Sequence, residues 1–244
     1  MGDVKALSIL PHRRSTMNDS LRWLGEHCYD PPMGHPGMRG GVSLTAVRGL
    51  PVAELLRRLR AREEEIAVPV RYRDFGFTAD TASLRPCMYG TSGEWSYVLE
   101  GSGSSTWYER WFNDDPEVRP RPGEELVCLN PNIAVQPCWL AYAPGSEGAV
   151  WFTEFGESPL NSRKVDTTGK LAVLDAALRE NGAVNPEPPE FRRRPDWVRF
   201  VREHHGGVPA LVWQAVGDCL GIRIPRTDVE EGNLPIALLD DPFG

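Results

Sequence analysis

The sequence predicts an α+β fold, an antiparallel meander sheet packed with helices and followed by a helical C-terminal part. Three observations carry this. Apolar residues recur at helical spacing over 51–66 and again between 171 and 220. From 94 to 155 the spacing switches to alternation. Those alternating runs are rich in aromatic and β-branched residues, which suit a half-buried pleated surface. A chain of 244 residues has material for one large domain or two small ones. The expected division is a helix and loop over 1–41, an α+β core over 42–182, and a proline-rich connector with C-terminal helices over 183–244, packed on the same domain.

The elements follow in order. "SLRWLGEHC" (20–28) reads as a short helix, with Ser20 placed to accept from an early backbone N–H. "DPPMGHPGMRGG" (30–41) is loop, because its prolines and glycines block both repeating structures. "VSLTAVRG" (42–49) alternates as a strand does. "PVAELLRRLRAREEEI" (51–66) reads as one helix with Pro51 at its first position. Its charges run against the dipole, since four arginines precede Glu63, Glu64 and Glu65, and fraying of the last turn is expected.

Next, "EWSYVLE" places Trp95, Tyr97 and Leu99 on one face and Ser96 and Val98 on the other. "ELVCLN", "CWLAYA" and "AVWFTEF" continue the strands, with "APGSEG" (143–148) as a hairpin loop. "TTGKLAVLDAALRENG" is helical, with Gly182 at its left-handed stop. "AVNPEPPEFRRRP" (183–195) is a connector. "DWVRFVREHH" and "VPALVWQAVGDCLG" are two further helices, and "DDPFG" is a loose tail.

Composition ranks several functions low. No apolar run is long enough to span a membrane, and "ALSIL" is too short for a signal-peptide core, so a cytoplasmic protein with no membrane partner is expected. The net charge of −7 argues against gripping phosphate backbones. Five cysteines, at 28, 87, 128, 138 and 219, lack CxxC spacing and read as free thiols.

Motifs for chemistry are sparse. "GSGSST" (101–106) lacks the third glycine of a dinucleotide loop and the Lys-Ser/Thr of a triphosphate loop, and "TWYERW" does not read as a helix opening, so the loop is expected only to turn the chain. His12, His27, His35, His204 and His205 show no paired metal spacing, and neither metal nor cofactor is expected. "GTSGE" has the wrong spacing for a nucleophile elbow. The candidate catalytic groups are Glu154, Glu100 and Cys87, of which Glu154 is the first to inspect. "FRRRPDW" (191–197) is the densest basic run, beside Trp197 and Phe200. The aromatic candidates for binding are Trp95, Tyr97, Trp107, Trp111, Trp139 and Trp151, because exposed aromatics dominate interface energetics.

Four stretches together, "SLTAVRGLPVAELLRRL", "GEWSYVLEGSG", "LAYAPGSEGAVWFTEF" and "VPALVWQAVGDCLGIRIP", give the chain a wider likeness. It resembles an actinobacterial, Streptomyces-type family of unknown function, over roughly residues 42–225. The strong preference for arginine agrees with a GC-rich genome, since lysine appears only at 5, 164 and 170. By this resemblance Gly49, Trp95, Glu100, Tyr142 and Gly148 hold recurring scaffold positions, and no catalytic residue is carried over.

Three functions stay open. The first is a cytoplasmic, non-enzymatic module that binds another protein, in an immunity-like or regulatory role. The second is an enzyme of specialised metabolism, with a carboxylate or thiol in an aromatic pocket that holds a small molecule. The third is nucleic-acid binding through residues 191–200.

Overall fold

The computed structural model describes residues 20–32, 36–78, 81, 83–131, 138–145, 150–155, 169–183 and 207–241. The connector from 184 onward, the expected helix over 196–205, the basic run at 191–197, Gly148, and His12, His35, His204 and His205 lie outside the described residues.

Among the described residues eight strands form one antiparallel sheet: β1 (Ser43–Arg48), β2 (Val70–Arg71), β3 (Leu84–Ser92), β4 (Trp95–Glu100), β5 (Glu125–Pro131), β6 (Cys138–Ala143), β7 (Trp151–Phe155) and β8 (Pro235–Asp240). Their order is β2-β8-β3-β4-β1-β5-β6-β7. Only part of this is a meander. β3–β4 is a hairpin and β5-β6-β7 run in sequence, but β1 sits between β4 and β5, and the last strand enters between β2 and β3. The sequence reading assigned no strand to 84–92 or 235–240. Both lie in a sheet covered on two sides, so "IALL" in β8 is a continuous apolar run that alternation does not reveal.

Helices cover both faces. On one lie α1 (Arg22–Glu26), α5 (Gly169–Glu180), α6 (Val208–Leu220) and α7 (Arg226–Glu230), packed over Leu44, Ala46, Tyr97, Leu99, Leu140 and Ile236. On the other lie α2 (Val52–Arg58), α3 (Glu63–Ala67) and α4 (Thr106–Phe112), packed over Val47, Cys87, Val98, Cys128, Ala141 and Leu239. The two faces of β4 match its alternation: Trp95, Tyr97 and Leu99 belong to the first core and Val98 to the second. α1 and α6 approach closely at Gly25, where a Cβ would stand 2.5 Å from the Pro209 carbonyl oxygen. The stops at Gly182 and Gly221 are left-handed, with φ of 70° and 72°.

Two helix starts differ from expectation. α1 is preceded by Leu21 rather than capped by Ser20, and no side chain caps it. Pro51 stands just before α2, in extended conformation, rather than inside it.

The expected helix over 51–66 is also two helices. α2 ends at Arg58, Arg60 adopts a φ of 60°, and the Ala61 N–H returns to the Leu56 carbonyl. A non-glycine residue in that conformation costs on the order of 1 kcal/mol. The break has a compensating gain: Glu63, Glu64 and Glu65 become the first turn of α3, where acids favour the dipole that they would otherwise oppose. Glu65 also accepts from the Leu238 N–H, on β8 beyond the short β2 pairing, and together with the Ala61–Leu239 bridge it covers that strand edge.

Candidate functional site

Glu100 ends β4, and the chain turns through the Gly/Ser loop into α4. Contrary to the sequence reading, a helix does open after this loop. Ser105 caps it by accepting from the Tyr108 N–H at 3.2 Å. The anion at its start is the protein's own: the Thr106 N–H donates to both Glu100 oxygens at 2.9 and 3.0 Å, and the Thr106 hydroxyl donates at 2.6 Å. The loop therefore holds a carboxylate of the same chain where a phosphate loop would hold its ligand.

Glu100 is 2% exposed. Burial pushes its carboxyl up to about 7, against the opposing pull of the Thr106 hydrogen bonds and the Arg85 charge. Cys87 is its cross-strand partner on β3. Burial, reinforced by the nearby Glu100 charge, raises the Cys87 thiol well above its ordinary value, so it carries no thiolate near neutrality. Arg85 is engaged by Glu109 and, at 3.0 Å, by Asp241. Beside this group lies a cleft of about 250 Å³ lined by Met38, Tyr72, Leu84, Pro86, Glu100 and Ser102. A protonated carboxyl there can donate a hydrogen bond or pass a proton.

Thus two of the three catalytic candidates, Glu100 and Cys87, meet. Glu154 does not join them. It pairs with Trp139 on the far side of the sheet, four strand spacings from β4, or about 19 Å. The Glu154 side chain lies outside the described residues.

The six aromatic candidates divide between the faces. Trp95 and Tyr97 are buried on the first, where the Trp95 indole donates to the Leu220 carbonyl at 3.0 Å and lies beneath the Arg48 guanidinium at 5.1 Å. Trp151, partly buried, packs against the same core. Trp107, Trp111 and Trp139 gather on the second face. Trp107 is buried, donates to the Val118 carbonyl at 2.9 Å and stacks on Trp111 at 5.9 Å. Tyr108 links the rest, lying 4.3 Å from Trp139, 5.8 Å from Phe152 and 6.1 Å from Phe112. Phe112, at the end of this ladder, is 70% exposed. Sequence reasoning missed Tyr108, Phe112 and Phe152. The i, i+4 spacing of Tyr108 and Phe112 was the available signal, had "TWYERWF" been read as a helix.

A third cluster lies at the rim of the first face. Glu125, 2% exposed, accepts from Arg48, from the Tyr142 hydroxyl and, at 2.8 Å, from the Lys170 ammonium. Burial pushes the Tyr142 phenol up to about 12. Tyr142 serves this network, and Trp95 packs beneath its Arg48.

Among the described residues no three His, Cys, Asp or Glu side chains gather as metal ligands, and no helix is long and apolar enough to cross a membrane. The fold and these sites define a protein with an antiparallel sheet covered on both faces, a carboxyl-capped internal helix and a partly exposed aromatic ladder. Comparison with protein families, curated proteins and solved structures finds no match to the chain.

Proposed function

We propose that this chain is a non-enzymatic, cytoplasmic protein-interaction module that binds a partner protein through the aromatic ladder of α4, β6 and β7, in an immunity-like or regulatory role. The observation that carries the reading is Phe112, 70% exposed beyond a ladder whose inner rings, Trp107 and Trp139, are buried. Exposed aromatic rings held by packed neighbours lose little side-chain entropy on binding, which makes them strong interface anchors. The test places a photo-crosslinking amino acid at Phe112 and, as control, at Val173, which is 62% exposed on the opposite face. One partner captured only from position 112, and lost with Trp111→Ala, is the expected result. Equal capture from both positions, or none from 112, defeats the reading.

A second reading, an enzyme that uses Glu100, is favoured by one observation: a carboxyl titrating near neutrality lines a cleft. Against it, both Glu100 oxygens are committed to Thr106, and the neighbouring Cys87 thiol is fully buried. Native mass spectrometry of protein isolated from its own cell extract decides the matter. A small-molecule adduct abolished by Leu84→Trp, which fills the cleft, supports the enzyme; an adduct-free protein removes it. The third reading, nucleic-acid binding through residues 191–200, concerns residues outside those described.

A further inference from the structure

We infer that the partner offers a basic segment, an arginine or lysine flanked by an apolar residue, to the C-terminal end of α4; this rests on the interaction surface proposed above. The aromatic ladder does not end in neutral surroundings. Immediately after Phe112 the chain enters a cleft of about 400 Å³ in which Asp114, Asp115, Asp240 and Asp241 outnumber Arg60 and Arg110. Asp241 is held by Arg85 at 3.0 Å, an arginine that Glu109 shares, and the two arginines of the cleft are also committed. Both pair with Asp115, Arg110 through its Nε at 2.8 Å and Arg60 at 3.4 Å. Asp114 is 88% exposed and pairs with Arg119, itself 57% exposed, at 2.8 Å. Asp240 is exposed, and among the described residues no cation pairs with its carboxylate.

The two features are continuous. Phe112, Asn113 and Asp114 are consecutive, and Asn113 and Asp114 line the cleft whose rim Phe112 adjoins. α4 thus shows its Tyr108–Phe112 side towards β6 and β7, and its Glu109–Asn113 side towards β3 and β8, with Glu109 bound to Arg85. A cation entering the cleft would meet carboxylates, while its apolar neighbour would meet the electron-rich faces of Phe112 and Trp111, which also attract cations. A chain with a net charge of −7 further favours encounter with a basic partner. An acidic or purely apolar partner would leave Asp240 desolvated without compensation.

The probe is a short peptide of alternating arginine and leucine, compared with one of alternating glutamate and leucine. The readout is the NMR shift of the Trp111 indole and the Asn113 amide in the full chain. The arginine peptide is expected to move both signals, to bind more weakly as salt rises, and to lose about five- to tenfold in affinity in Asp114→Asn/Asp240→Asn, consistent with two exposed ion pairs. Asparagine is chosen because position 114 has a φ of 61°, which asparagine tolerates; unchanged thermal unfolding of the variant confirms that the fold persists. Equal binding of the two peptides, shifts confined to other residues, or an unaltered affinity in the double variant overturns the inference. So does self-association through Phe112 that the double variant leaves intact. Such failures leave the crosslinking result at Phe112 to stand or fall alone, because a neutral partner captured there satisfies the wider reading and refutes this one.

Discussion

On the first face of the sheet the 13-residue α6 lies with Val212, Trp213, Ala215 and Val216 fully buried, alongside the 12-residue α5. On the second face, among the described residues, no helix exceeds seven residues, and Ser96, Glu100, Thr106, Arg58 and Arg110 are buried among the apolar side chains. Long helices can bury a continuous stripe, which removes apolar area from water without polar accounting. Short helices expose more ends, and each end leaves backbone groups that side chains must satisfy. The second face therefore needs internal polar partners, and the same requirement brings carboxylates and arginines to its surface. The second face thus carries most of the buried polar side chains, while the first carries fewer, among them Glu125 and Asp175.

The largest expected effect breaks or keeps that division. Trp213→Ala should cost about 3–5 kcal/mol, as for other large-to-small core changes, read by urea denaturation. Among the described residues its buried indole N–H has no hydrogen-bond partner. Trp213→Phe should therefore cost far less, about 1 kcal/mol or under, since no bond is lost. A large loss in the phenylalanine variant would mean that the first face depends on polar contacts after all. The counterpart on the second face is the bidentate pair Arg58–Glu124, with both contacts at 2.7 Å. Glu124→Leu should cost about 3 kcal/mol by leaving the buried arginine only its longer contact with Glu54 at 3.5 Å, and the added change Arg58→Met should recover most of it. Without that recovery, the pair contributes more than mutual compensation.

Glu100 sharpens the comparison through pH. In the unfolded chain its carboxyl titrates near 4.5, and in the folded chain near 7. Between those values the folded state holds more of the proton, so its contribution is present below about 4.5 and is lost as pH rises through 7. Relative to Glu100→Gln, which cannot titrate, the parent chain should lose about 2–3 kcal/mol between pH 5 and pH 8. Parallel stability profiles for the two proteins would show that the carboxyl stays ionised across the range, with the hydrogen bonds from Thr106 outweighing its burial.

How far these features were legible depends on whether their causes were local. The two faces of β4, the helices of α5 and α6 and their glycine stops follow from spacing and from left-handed positions, which adjacent residues determine. β3 and β8 were less legible, because half of the pairing of "LRPCMYGTS" and most of that of "PIALLD" comes from each other, about 150 residues apart in the chain: Cys87 pairs with Ala237 and Met88 with Ile236. The break at Arg60 was foreshadowed by charges set against the dipole, but the resolution, a second helix that uses the same acids as its first turn, also needed β8 for Glu65 to contact. At the site, Glu100 and Cys87 were both picked out, yet their meeting is a cross-strand register and not a motif. α4 was hidden because its N-terminal partner lies six residues upstream, in a strand.

The smallest expected effect tests what the second face is for. Phe112 is 70% exposed and touches the ladder through Tyr108 at 6.1 Å, so Phe112→Ser removes little buried area. Its stability should stay within about 0.5 kcal/mol of the parent, as for a surface change remote from the core. Trp111→Ser differs, because Trp111 is partly buried and stacks on Trp107, and it should cost about 1 kcal/mol or more from the stacking alone. If Phe112→Ser instead destabilises as much as a core change, the ring is covered within this chain and belongs to its packing. A neutral outcome, with Tyr108 and Trp139 unshifted in the NMR spectrum, leaves a large apolar ring held in water by a rigid ladder that does not need it for folding. Its contribution then lies outside folding, as the proposed binding role requires.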